Sequence, residues 1–264
     1  MSGLNSSFNR VAKDYDEVRP GYPEELIEDV IEITEFPRNG RILEVGCGTG
    51  QATTQLARRG YRLLCLDIGA SLLDIARKKC EGYPNVEFLN ASFEEWEPGS
   101  EPFDLVVSAT AFHWIRPKIG YPKAARVLRN GGHIALFWNF HPTPYSGFFD
   151  DVQEVYRRIV PEWGDPRERP GTEARIRQIK DNIEETFMFD KVTVKRYPWT
   201  RVYGRGQYLK LLDTYSDHLR LDDGRKSELY SGIGALIDEK YEGKVNRPYL
   251  SVLFIAQKKA LSGS

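Results

Sequence analysis

From residue 41 onward, short apolar runs alternate with amphipathic stretches: RILEVG, QATTQLARRG, YRLLCLD, SLLDIARKKC, NVEFLN, FDLVVSA, PKAARVLR and GHIALFWNF. The apolar runs are hydrophobic at both alternate positions, as strands buried on two faces are, and the stretches between them show helical spacing. Strands alternating with helices predict a parallel sheet wrapped by helices. Gly60 marks the end of one helix, and Gly131 with Gly132 the end of another before the next strand. A further amphipathic helix is expected over 23–33, where Leu26, Ile27, Val30 and Ile31 recur at helical spacing.

After Phe140 the pattern breaks. Segment 141–171 holds five of the 15 prolines, too many for one continuous helix or strand, and reads as a boundary. Helices are expected over 173–187 and 207–219, with a strand over 191–203 between them. A last helix over 224–240 leads into an apolar run bounded by Pro248 and Lys258. These last two strands are expected to join the sheet at its edge. The organisation implied is a first unit over 1–140, a cap or substrate insertion over 141–220 that includes the edge strand, and a C-terminal helix and strand over 221–264 that complete the sheet.

Composition narrows the partners. Thirty-seven Lys and Arg against 38 Asp and Glu give a net charge of −1, so no overall field recruits nucleic acid or an anionic membrane. No stretch approaches the ~18 consecutive apolar residues of a membrane helix, and the N-terminus lacks the basic start and apolar run of a secretion signal. A cytoplasmic protein, monomeric or homodimeric, is expected. Cys47, Cys65 and Cys80 form no CxxC pair, which suits reduced thiols and neither a disulfide framework nor a zinc site.

Candidate chemistry begins at ILEVGCGTG, where Gly46, Gly48 and Gly50 alternate directly after a buried strand and before a helix. Glycine there lets backbone turn sharply and approach a ligand closely. A dinucleotide fingerprint would read GxGxxG, yet the position three after Gly48 is Gln51, which counts against NAD and FAD. Glu44 lies at the carboxyl end of the strand, where its charge would attract a cationic ligand. Asp67 ends the next strand and can accept two hydrogen bonds from a ribose diol, cap the helix that begins near Ala70, or do both. Together these residues describe a site for a nucleoside with a positive tail.

LEVGCGTG and the acid of LLCLDIG resemble the class I S-adenosylmethionine-dependent methyltransferases over roughly residues 8–140. The resemblance implies an α/β fold: a Rossmann-like, seven-stranded, mostly parallel sheet with helices on both faces and a helical cap insertion. It implies S-adenosyl-L-methionine as cofactor, held by the backbone of Gly46, Cys47, Gly48 and Gly50, with Glu44 near the methionine end, Asp67 on the ribose and Ile68 packed on adenine. Where the family often has an Asp facing the adenine amine, NASF supplies Ala91 and Ser92, leaving the backbone of Ser92 and stacking by Phe93 or Ile68. FNRVAKDYDEVRPGYP and FDLVVSATAFHWI look like a small-molecule subgroup that includes trans-aconitate methyltransferases. In that subgroup the N-terminal segment folds over the methionine end, which singles out Tyr15 and Arg19, and Ser108 belongs to the cofactor set.

Methyl transfer from a sulfonium is an in-line displacement that needs alignment and exclusion of water, and no metal. A hydroxyl or ammonium acceptor would also need a base; His113 is the histidine placed for it, as a base or as a packed wall residue. Trp114 and Trp138 could wall the acceptor space or pack the core. Residues 191–210 carry six basic side chains and no acid, which suits a solvated strand face or an anionic acceptor. Tyr208 and Tyr215 fall near one face of a helix expected to pack the cap and touch substrate. The leading expectation is methyl transfer to a small molecule, a carboxylate among the candidates. The alternatives are a module that binds S-adenosylmethionine without turnover and an NAD-dependent oxidoreductase.

Overall fold

The computed structural model describes residues 16–260. Its seven strands form one sheet in the order β3-β2-β1-β4-β5-β7-β6. They are β1 (Arg41–Val45), β2 (Arg62–Asp67), β3 (Val86–Asn90), β4 (Phe103–Ala109), β5 (Leu128–Phe140), β6 (Thr193–Gly204) and β7 (Lys244–Gln257). The first five are parallel; β7 runs antiparallel to both β5 and β6. Chain order reverses between β1 and β4, and the carboxyl ends flanking that crevice are where open α/β sheets bind ligands.

Alternation along the strands sends side chains to two separate helix layers. Ile42, Leu63, Cys65, Leu105, Val107 and Phe137 pack against α1 (Glu24–Ile33), α2 (Gln51–Ala57) and α3 (Ala70–Lys79). Leu43, Val106, Leu136, Trp138 and Phe254 face α4 (Pro117–Val127) and α6 (Thr172–Glu184). α1 follows the expected pattern, burying Leu26, Ile27 and Val30 and opening with Glu24 and Glu25 where carboxylates favour a helix start.

A third apolar cluster stands above the sheet. It joins α5 (Phe148–Ile159), α7 (Arg205–Leu212) and α9 (Asp223–Lys240) around Phe148, Leu211, Ile233 and Tyr203, with the four-residue α8 (Ser216–Leu219) alongside. Several sequence expectations change here. Pro144 and Pro161 bracket α5 without entering it, so the proline-rich segment holds a twelve-residue helix after all. The helix expected over 207–219 breaks at 213–215, where the Thr214 hydroxyl donates to the Leu211 carbonyl. Grouping by chain position also misassigns two helices. α6, placed with the cap, buries Ile176 and Ile183 against the sheet, whereas α9, placed with the sheet, packs into the cap.

The strand limits shift as well. β5 begins directly after α4, and Gly131 (φ 72°) lies within a register irregularity of that strand instead of ending a helix. β7 begins before Pro248 and passes through it, because at that point its neighbour is β6 alone: β5 pairing starts at Leu250. Residues 199–204 and 244–249 thus form a two-stranded ribbon beyond the carboxyl end of β5, and the cap sits on it.

Candidate active site

The loop after β1 turns through three left-handed glycines, Gly46 (φ 74°), Gly48 (φ 56°) and Gly50 (φ 82°). They differ in surroundings. A Cβ on Gly46 would lie 2.3 Å from Ala111 Cβ, so this residue is glycine because the chain after β4 crosses it. A Cβ on Gly48 would meet nothing within 4 Å among the described residues, which leave that side of the loop open to a ligand. The amides of Gly46 and Cys47 donate to the Leu66 carbonyl, and the Gly50 amide donates to the Cys47 carbonyl. Cys47 is buried, its thiol pushed well above the usual range by a hydrogen bond with Cys65 and by burial, so its side chain belongs to the core and not to the ligand face.

Asp67 anchors the loop. Its carboxylate accepts from the Gly48 amide at 2.8 Å and the Gly69 amide at 2.7 Å. Burial raises its pKa while these donors pull it down. The cap residue of α3 is Gly69, and Asp67 stands just before it, holding the turn without capping the helix directly. Ile68 beside it is 49% exposed, an apolar surface at the sheet's ligand edge.

Glu44 departs from expectation. It is fully buried beneath α2, with Oε2 accepting from the Thr53 hydroxyl at 2.6 Å and from the Cys65 thiol, while Oε1 has no partner. Burial pushes its pKa up to about 7, so it is no open anionic lure. Asp16 is a second acid, beside Asp67, that reaches the glycine loop, accepting from the Thr49 hydroxyl at 2.8 Å and pairing with Lys79. Tyr15 lies outside the described residues. Arg19 turns toward the cap: its Nε and Nη2 donate to the Thr214 hydroxyl and carbonyl, and it lies 4.8 Å over the Tyr215 ring.

Other expected contacts resolve differently. Ser108 is fully buried and donates to the Val45 carbonyl, tying β4 to β1. Phe93 is buried among Trp96, Phe112 and Lys123, so of the two residues expected to pack on adenine only Ile68 is exposed. The Ser92 carbonyl already accepts from the Trp96 amide and its hydroxyl from the Glu94 amide. Tyr208 is buried in the cap core against Phe148, while Tyr215 is half-buried beneath Arg19.

Beyond β4 the chain passes through Thr110, a β-branched residue at φ 56°, whose hydroxyl bonds Tyr22 at 2.7 Å. Such strain gathers at functional sites; neither residue stood out in the sequence. His113 follows, exposed beside Trp114, which is itself 59% exposed and so not a core residue. The buried Trp138 indole donates to His113 Nδ1 at 3.1 Å. An indole N–H only donates, so Nδ1 is the acceptor and the ring's proton sits on Nε2. Desolvation, then the charges of Arg175 and Arg19, lower the His113 pKa from its usual value. Poised this way, His113 offers a hydrogen-bond donor from Nε2, an arrangement that suits the hydrogen-bonded wall residue of the two expected roles and not the base.

Residues 42–132 match the model of the family described as methyltransferase domain. An uncharacterised methyltransferase of Mycobacterium tuberculosis is 34% identical over 136 residues, 52% of this chain and 53% of that protein. A malonyl-[acyl-carrier protein] O-methyltransferase of Paenibacillus is 33% identical over 173 residues, 59% of this chain and 60% of the relative. The chain thus spans about half the length of the first of these relatives. A Haemonchus contortus phosphoethanolamine N-methyltransferase, solved with phosphomonomethylethanolamine and S-adenosylhomocysteine, superposes with a TM-score of 0.56 at 15% identity, over 96% of this chain and 58% of that one. At that identity the likeness is one of fold.

Proposed function

We propose that this chain, whose residues 42–132 match the methyltransferase-domain family and whose seven strands form a Rossmann-like, mostly parallel sheet, transfers a methyl group from S-adenosyl-L-methionine to a small-molecule acceptor. The observation that carries this reading is the pairing of Gly48 with Asp67: a loop open on its outer side, with a carboxylate drawn up to its amide, at the crevice between β1 and β4. The residues present suit the cofactor. Asp67 has lone pairs beyond the two amide bonds for a ribose diol, and Ile68 offers an exposed apolar surface for a base.

S-adenosylmethionine supplies a methyl group on a sulfonium, whose positive charge disperses as the methyl leaves. The chain's own work is to align the acceptor and exclude water. His113, fixed by Trp138, would donate from Nε2 to an acceptor oxygen and orient it; Trp114 and the cap would cover the reacting atoms. His113 draws no proton from the acceptor in this arrangement, so the acceptor must present an atom already nucleophilic at neutral pH, such as a carboxylate oxygen.

Calorimetric titration with S-adenosylmethionine, S-adenosylhomocysteine and NAD, followed by incubation with methyl-labelled cofactor and pooled small acids, tests the reading. Binding of the first two ligands alone, with label moving to an acid, is the expected result. Binding of NAD alone would refute it.

A further inference from the structure

Arg247 stands directly opposite Arg201 in the β6–β7 register, on the same face of the ribbon that rises past β5. Like charges at paired positions repel unless something lies between them. Arg201 has partners: it donates to the carbonyls of Arg19 and Glu17. Arg247 has no carboxylate partner among the described residues, and its Nε is buried with nothing to donate to. The guanidinium lies 5.3 Å from the Phe149 ring and 5.1 Å from Tyr249, within a surround of tyrosine hydroxyls that includes Tyr208 and Tyr215. An arginine cannot shed its proton to escape such a place; the Tyr208 hydroxyl hydrogen-bonds the guanidinium, but no carboxylate among the described residues neutralises its charge.

A second orphan flanks the same phenylalanine. The His141 ring, centred 4.2 Å from Phe149, has a buried Nδ1 without a partner. Burial, with the charge of Arg247, holds its pKa down at about 4, so the ring is neutral and, with the Pro248 carbonyl as its hydrogen-bond partner, Nδ1 is a bare acceptor. Two unmet groups of opposite kind thus sit on one aromatic ring: a cationic donor and a neutral acceptor. The cluster adjoins the candidate site, because Arg19 both stacks on Tyr215 and acts electrostatically on His113.

We propose that Arg247 and His141 form the recognition subsite for the methyl acceptor, Arg247 pairing with an oxyanion of that molecule, carboxylate or phosphate, and His141 Nδ1 accepting from a hydroxyl on it. This rests on the methyl-transfer reading for the word acceptor, and on the orphaned atoms alone for the anion.

The test titrates the full chain, saturated with S-adenosylhomocysteine, with malate, succinate and inorganic phosphate at constant ionic strength set by chloride, read by calorimetry. Arg247→Met and Arg247→Lys are titrated alongside, with circular dichroism to confirm folding. The expected result is millimolar binding of at least one anion, weakened tenfold or more in Arg247→Met and less in Arg247→Lys, which keeps a point charge. Malate should bind more tightly than succinate, and His141→Phe should erase that difference. Phosphate binding without carboxylate binding assigns the subsite to phosphorylated acceptors; the converse assigns it to acids. No anion binding in the wild type, or equal binding in Arg247→Met, overturns the proposal. If S-adenosylhomocysteine fails to bind while anion binding still depends on Arg247, the subsite stands and the methyl-transfer reading falls.

Discussion

Gly46 and Gly48 lie two residues apart with the same backbone handedness, yet a methyl group added to each should do opposite things. In Gly46→Ala the new Cβ would sit 2.3 Å from Ala111 Cβ, far inside the ~3.5–4 Å of ordinary carbon contact. Overpacking of that kind costs about 1–3 kcal/mol, and the left-handed conformation adds ~1–2 kcal/mol for any residue with a Cβ. At about 2–4 °C per kcal/mol for a chain of this size, the melting temperature should fall by roughly 5–15 °C. In Gly48→Ala the left-handed cost remains, but a Cβ there meets no atom within 4 Å. Its melting temperature should fall by only about 2–8 °C. The same methyl group then fills the space by which a ligand approaches the loop, so affinity for S-adenosylhomocysteine should drop at least tenfold, or ~1.4 kcal/mol. Melting curves of ligand-free protein and calorimetric titration separate the two effects. Wild-type affinity in Gly48→Ala, or equal destabilisation by the two substitutions, would show that the open side of the loop is not where the cofactor lies.

Three more outcomes follow from the site. Asp67→Asn puts an amide N–H against one of the two backbone donors of Gly48 and Gly69, so it should lower both the melting temperature and the S-adenosylmethionine affinity, and unchanged affinity by calorimetry would remove Asp67 from the site. Burial raises the Glu44 pKa from the ordinary 4.5 to about 7 in the folded state, which therefore holds its proton more tightly: the stability this contributes, about 3 kcal/mol, is complete below pH 4.5 and is lost as pH rises through 7. Glu44→Gln should therefore gain several degrees in melting temperature on the wild type between pH 5 and pH 8, and parallel curves would refute the assignment. Trp138→Phe removes the N–H that keeps His113 Nδ1 deprotonated, so the His113 pKa should rise and its tautomer mix, which side-chain nitrogen NMR reads directly; an unaltered titration would mean another group sets that ring.

The glycine loop and Asp67 were legible because the signal is local: a strand, alternating glycines and an acid at the end of the next strand lie within 27 residues, 41–67. Helical periodicity likewise marked α1, α6 and α9, but it reports only that a helix has an apolar face, not what covers it, so α6 and α9 were assigned to each other's layers. The side chain of Glu44 was misjudged for a related reason. Its place at the carboxyl end of β1 was readable, but its burial depends on α2 folding back to set Thr53 above it. Arg247 and His141 carried no motif, since their meeting depends on β7 returning beside β5 more than a hundred residues after His141. The one hint was a solvated-looking basic run over 191–210, and its Arg201 proves to hold the N-terminal segment by the carbonyls of Glu17 and Arg19.

The reversed final strand explains why the third apolar cluster and the glycine loop share one edge of the sheet. β5 ends at the carboxyl side of the sheet, and β7, being antiparallel, begins on that side, so the chain between them both leaves and returns above the ligand crevice. α6 descends along one face, β6 climbs back parallel to β5, and its last residues pair with the first of β7 to raise the ribbon that carries Arg201 and Arg247. A parallel final strand would start at the opposite edge and bring nothing over the site. The topology therefore separates two tasks on one side of the sheet: β1 and β2 present the loop and its acid, while β6 and β7 hold the cap and its arginines on a support that shares no strand pairing with them. Substitutions in the ribbon can then alter which acceptor is chosen while the glycine loop keeps its geometry, the separation on which the Arg247 experiment depends.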